Sequence, residues 1–221
     1  MGYGVRVDVR GDFALFTRPE MKSERVSYDL ITPSAARGVL ESIMWHPGMK
    51  WIIDEIRVLN PIKFTTVRRN EVGTKAKARV MWQAMVNGER PPYIATPKEI
   101  MQRASLLLTD VHYIITAHFE MTSQAAASDN PGKFSEMFRR RLAKGQNYHQ
   151  PYLGCREFPA QLRPCEDDVL LPVPEELRGE KDLGFMLYDM DYSDVAHIRP
   201  QFFRAVLRDG VLDLRGVEVF K

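Results

Sequence analysis

Apolar and polar positions alternate along VHYIITAHFEM, residues 111–121. Val111, Tyr113, Ile115, Ala117, Phe119 and Met121 fall on one side of an extended chain, with His112, Ile114, Thr116, His118 and Glu120 on the other. That period of two predicts a strand with one buried face. The same alternation from Tyr3 to Val9, with Val5, Val7 and Val9 set against Arg6, Asp8 and Arg10, predicts an N-terminal strand broken by Gly11-Asp12. The Ile- and Val-rich run from Trp51 to Pro61 predicts another strand, and Leu183 to Asp191 a further one. FFRAVLRDGVLDL reads as a hairpin turning at Asp209-Gly210.

Two segments switch to a helical period. Thr32-Pro33 supplies an N-cap followed by a proline whose missing N–H costs nothing there, and Ala36, Val39, Leu40 and Ile43 form the apolar stripe until Pro47-Gly48. Asp129-Asn130-Pro131 opens a second helix with Phe134, Met137, Phe138 and Leu142 on its apolar side, and Gly145 ends it. The low-apolar segment between Pro61 and the PPYIATP turn region predicts a long exposed loop or hairpin. The order strand, helix, strand, long excursion, strand, helix, strand predicts an α+β fold of the ferredoxin-like, split βαβ kind. Residues 1–160 form this domain with its basic insertion, and residues 161–221 a C-terminal antiparallel β appendage.

Composition narrows the class. The chain has 221 residues, 44% of them hydrophobic, enough for a sizeable core, and its 27% of charged residues is ordinary for a folded protein. No apolar run approaches the roughly 20 residues that span a bilayer, and the N-terminus has no signal-peptide core, so a cytoplasmic protein with no membrane partner is expected. Cys155 and Cys165 are expected as free thiols in a reducing compartment.

Charge changes the picture more. The net charge is only +2, yet Arg57 to Arg79 holds seven basic residues against one acidic, and residues 131–146 five against one. Acid gathers from Cys165 to Asp194, where ten acidic residues face two basic ones. Such separation points to a polyanion on one face. Lys63, Arg68, Arg69, Asn70, Lys75 and Lys77 in the first block, and Arg139, Arg140, Arg141 and Lys144 in the second, are the candidate phosphate and base contacts. Tyr148, with His149 and Tyr152, offers rings for base stacking.

Nucleotide-loop, dinucleotide-binding, serine-elbow and HExxH motifs are all absent, and no Cys/His cluster suggests a metal site, so neither cofactor nor metal is expected. His118 is the leading candidate for chemistry. It stands on the polar side of a well-patterned strand, between Thr116 and Glu120, and an imidazole of ordinary pKa, about 6.5, accepts a proton from a ribose 2′-OH near neutrality. His46, His112, His149, Tyr28 and nearby lysines are candidates for the remaining roles.

The blocks GDFALFTRPEMKSERVSYDLITPSAARGVLESI, WIIDEIRVLNPIKFTTVRRNEV, HYIITAHFE and LGCREFPA, in that order, resemble the CRISPR-associated RAMP-superfamily proteins of subtype I-C, the Cas five-d branch. The resemblance runs from Gly11 to about Gly210. It implies a ferredoxin-like (RRM-like, RAMP) domain followed by a C-terminal antiparallel β-sheet domain. It also implies a metal-independent endoribonuclease of antiviral defence, which cuts CRISPR precursor RNA on the 3′ side of the repeat hairpin and leaves a 2′,3′-cyclic phosphate. The implied partners are the CRISPR repeat RNA and its product, the other subunits of the type I-C interference complex, and double-stranded DNA as a further ligand. By position the family's strand histidine falls on His118, and its RNA-facing regions on Arg68-Arg69-Asn70 and on the helix carrying Arg139 to Lys144.

Two positions depart from the family pattern. Met44 stands where relatives carry a helix-end tyrosine or histidine, which leaves His46 and Tyr28 as candidates for that role. Thr116 and Ala117 stand beside the histidine where some relatives have a lysine, so Lys75, Lys77 or Lys144 would stabilise the phosphorane. Met44 also favours the alternative of a non-catalytic subunit that caps the guide RNA's 5′ end. An unrelated module with a basic, DNA-facing loop is the third reading.

Overall fold

A computed structural model describes residues 4–21, 24–90, 92–165, 172–194 and 196–221. The described strands are β1 (Val5–Ala14), β2 (Arg25–Val26), β3 (Met49–Val58), β4 (Lys63–Val72), β5 (Ile100–Met121), β6 (Gln161–Pro164), β7 (Glu180–Asp191), β8 (Arg199–Arg208) and β9 (Val211–Asp213). The α-helices are α1 (Pro33–Ile43), α2 (Ala78–Asn87) and α3 (Pro131–Ala143). The architecture is α+β, built on one large, mainly antiparallel sheet in the order β6-β1-β5-β3-β9-β8-β7. Both β4 and the short parallel β2 pair with the first half of β5. No described helix is long and apolar enough to cross a membrane.

Helices α1 and α3 begin where their caps dictate. The Thr32 hydroxyl accepts a hydrogen bond from the Ala35 N–H, with Pro33 in the first turn, and Asn130 Oδ1 accepts from the Lys133 N–H at 2.8 Å, followed by Pro131. Both α1 and α3 press their apolar stripes on the same side of the sheet. Trp51 of β3 packs its ring 4.7 Å from Phe138 and 5.4 Å from Phe119, and Phe119 meets Phe134 at 6.3 Å. Val7, Val9, Ile115 and Ala117 complete this core at 0% exposure. The opposite side of the sheet carries Arg6, Asp8 and Arg10 on β1, His112, Thr116 and His118 on β5, and Glu55 and Arg57 on β3.

The topology refines the expected order. α1 lies between β1 and β3, and α3 between β5 and β6, within the strand order β6-β1-β5-β3. The strand that follows α3 and pairs with β1 is therefore the four-residue β6, and not the segment 183–191, which belongs to β7. Too short to show a period, β6 reads in sequence as part of a polar connection. The anticipated loop or hairpin of the basic block is a hairpin: β4 runs antiparallel to Ile100–Thr109, and α2 lies in the connection. β5 is 22 residues long, twice the segment whose alternation is visible, because SLLLTD has no period of two and the strand takes up φ 51° at Asp110. Asp209 and Gly210, at φ 47° and 73°, make the tight β8–β9 turn, and β9 joins the sheet beside β3. Tyr3 and residues 166–171 of the acidic segment lie outside the described residues.

Candidate active site and nucleic-acid interface

Strand alternation aims His118 away from the aromatic core, and its side chain keeps 31% exposure. Its neighbour across the strand is Ile52. The β3 register then slips between Ile53 and Glu55, leaving Asp54 at a bulge. Bulges re-aim a side chain, and here both Asp54 carboxylate oxygens lie 2.9 Å from His118 Nδ1. The carboxylate accepts from Nδ1–H, which fixes the tautomer and leaves Nε2 as the proton-accepting nitrogen.

Two cations reach the same end of the sheet. Lys50 pairs with Glu120 in the β3–β5 register, two places along β3 from Ile52 on the His118 side, and its side chain is exposed. Arg139 of α3 donates to the Gly4 carbonyl at 3.5 Å, and Gly4 precedes Val5, the register partner of Ala117. A second pair on this face joins His112 Nε2 to Asp8 Oδ2 at 3.0 Å, with Arg10 clamping Asp8 at 2.9 and 3.0 Å. Burial works to raise the Asp8 pKa, but hydrogen bonds from Arg10 and His112 outweigh it and hold the carboxyl below its usual range.

The other proton-transfer candidates do not converge on His118. Tyr28 sits in the core at 1% exposure, with the Arg18 guanidinium 4.5 Å from its ring centre, and burial pushes its phenol pKa upward. His46 follows α1 on the helix-covered side. Its Nδ1 accepts from the Gly48 N–H at 3.0 Å, and its ring lies 5.0 Å from Phe134. Met44 is 2% exposed, and its carbonyl accepts from Trp51 Nε1 at 3.0 Å. Position 44 therefore serves the core here.

The basic residues divide into two regions at opposite ends of β5. On β4, Lys63, Arg68 and Asn70 are exposed, while Arg69 points the other way. Arg69 pairs with Glu157 and lies 5.8 Å from the Phe158 ring centre, so it ties the β4 ribbon to the 155–159 loop. Lys75 and Lys77 are exposed beyond Val72, which pairs with Ile100 at the far end of β5. At about 3.3 Å per residue they are tens of ångströms of strand away from His118. At the other end, Arg140 and Lys144 of the α3 segment are exposed, while Arg141 is half-buried and donates to the Ile43 carbonyl at 3.1 Å. Tyr148 is 90% exposed beside them, 6.1 Å from the His149 ring.

Comparison with known proteins decides the family. The family model for CRISPR-associated protein Cas5, branch Cas5d, matches residues 4–215. The chain belongs to the Cas5d family. A CRISPR pre-crRNA endoribonuclease Cas5d from Mannheimia succiniciproducens is 46% identical over 217 residues, covering 97% of this chain and 96% of that protein. One of the same name from Thermus thermophilus is 36% identical over 227 residues, covering 95% and 90%. The crystal structure of a CRISPR-associated protein shares the fold at a TM-score of 0.71 and 22% identity, covering 99% of this chain and 96% of that one. A chain of a CRISPR RNA-guided surveillance complex shares it at 0.54 and 16%, covering 95% and 89%.

In this Cas5d-family chain, sequence reasoning missed Asp54 and Lys50. Asp54 occupies an ordinary strand position in WIIDEIRV, and only the bulge turns it towards His118. Lys50 comes before the start of the strand expected at Trp51, and the cross-strand pairing that puts it near His118 is not written in local sequence.

Proposed function

We propose that this Cas5d-family protein is an endoribonuclease that cuts the repeat hairpin of CRISPR precursor RNA on the 3′ side of its stem, with His118 as general base. The observation that carries the reading is the His118–Asp54 pair on the polar side of the sheet, between two separate cationic regions. Asp54 holds the imidazole so that Nε2 takes the proton of the ribose 2′-OH. The 2′-oxygen then attacks the adjacent phosphorus and the bond from phosphorus to the 5′-oxygen breaks. The departing 5′-oxygen gains a proton, and a 2′,3′-cyclic phosphate remains. The nucleophile is the RNA's own hydroxyl, so no activated water is required. Lys50 and Arg139 offset the charge that builds on the phosphorane oxygens.

The strand order β6-β1-β5-β3 with its two helical crossovers supports a ferredoxin-like, RAMP-type βαββαβ unit over residues 1–160, followed by the β-rich segment 161–221. Exposed cations at both ends of β5 support retention of the cleaved RNA, and hence a place for the protein as a subunit of the type I-C interference complex.

The test is incubation of the purified protein with labelled repeat RNA in EDTA. A single cut ending in a 2′,3′-cyclic phosphate is expected, with His118→Ala slowing it by about 10²–10⁴-fold while binding persists. Tight binding without cleavage by the wild type would replace this reading with that of a structural subunit.

A further inference from the structure

A groove of about 570 Å³ lies on the helix-covered side of the molecule, away from His118. One wall is the outer side of α1, where Ser34, Gly38 and Glu41 recur at helical spacing and lead to Trp45. The other wall is the segment after α3, with Tyr148 and Tyr152 on either side of His149. The Tyr148 N–H donates to the Ser42 carbonyl at 2.7 Å and Arg141 donates to the Ile43 carbonyl, so loop, α1 and the cationic end of α3 are held together.

Gly38 is the unusual feature. Glycine in a helix interior costs about 1 kcal/mol relative to alanine, yet nothing lies within 4 Å of where its Cβ would stand. No neighbouring atom requires the glycine, and the space above it opens into the groove. The sole carboxylate among the lining residues is that of Glu41; no lysine or arginine lines the groove, but Arg37, outside the lining, lies 3.4 Å from Glu41 Oε1 and leaves Oε2 as the acceptor facing a ligand. Arg140 and Lys144 are exposed on the adjoining helix end. A phosphate therefore suits the rim and not the interior. The interior suits a flat, uncharged group with N–H donors, stacked on rings and donating to a carboxylate.

We propose that this groove binds one unpaired nucleobase from the single-stranded flank of the repeat RNA, with Glu41 accepting from its amino or imino N–H. Gly38 admits the base edge, Trp45 and Tyr148 stack at the rim, and Arg140 and Lys144 hold the adjacent phosphates. The inference rests on the reading of repeat RNA as the substrate.

Fluorescence anisotropy with two RNAs, each 2′-deoxy at the scissile nucleotide, tests it. One is the hairpin with its single-stranded flanks, and the other is the bare stem. The wild type should prefer the flanked RNA by about tenfold or more, the share of one stacked base. Gly38→Leu should abolish that preference and leave bare-stem affinity unchanged, while Gly38→Ala keeps it. Both variants should melt no lower than the wild type, because each is a better helix former than glycine. Tyr148→Ala, which removes an exposed ring, should also reduce the preference. Equal affinity of the wild type for both RNAs, or a full preference in Gly38→Leu, overturns the groove's role but leaves the RNA reading intact. Failure of the wild type to bind either RNA overturns both.

Discussion

A histidine that takes a proton from a hydroxyl must present one particular nitrogen, and at His118 that choice rests on Asp54. Asp54→Asn can donate to Nδ1 and so favours the wrong tautomer. It is expected to slow single-turnover cleavage by about tenfold or more, with RNA affinity within about twofold of wild type. A cleavage rate equal to wild type would remove Asp54 from the mechanism. Adjacent arginines on β4 make a second contrast. Arg68 is exposed, whereas Arg69 is engaged with Glu157. Arg68→Ala should weaken RNA binding and reduce the log–log salt slope by about one, with little change in stability. Arg69→Ala should lower the urea midpoint, because the ribbon loses its tie to the 155–159 loop. Local pattern could identify His118, since one strand's alternation sets its direction. It could not distinguish Arg68 from Arg69, since that difference depends on a residue almost ninety positions away.

At the scale of elements, β1 and β5 are tied on the polar side by Asp8, His112 and Arg10. A carboxyl held below its ordinary value of 3.8 stabilises the fold above that pH, and the contribution is lost as pH falls through the folded-state value. Asp8→Asn should therefore be less stable than wild type in urea at pH 7, and the gap should narrow at pH 3. A gap that stays constant across that range would mean the ionised carboxylate contributes nothing. Helices α1 and α3 are legible because capping residues and apolar stripes are local: Thr32-Pro33 and Asn130-Pro131 start them as their chemistry requires. β6 and the first half of β5 are not, since their strand character comes from pairing with β1 and β4 and not from their own period. α2 was hidden for a different reason. It buries little beyond Ala84, so ARVMWQAMVN has no apolar stripe packed against a core.

At the scale of the whole molecule, charge is arranged along β5. Basic β4 flanks its first half, α3 follows its last residue, and His118 stands near that second end with Lys50 and Arg139. Blocks of net charge along the chain reveal the two regions, but not their separation, which follows from a strand 22 residues long. An RNA that reaches both regions and His118 crosses the polar side of the sheet, and this is where the proposed reaction takes place. The most direct measurement is the structure of the protein bound to a repeat RNA blocked by a 2′-deoxy scissile nucleotide. The account predicts the scissile ribose on the polar side of the sheet, with its 2′ carbon within about 4 Å of His118 Nε2, as a hydrogen-bonded hydroxyl requires. A scissile phosphate seated on the helix-covered side, with His118 turned away from any sugar, would contradict it.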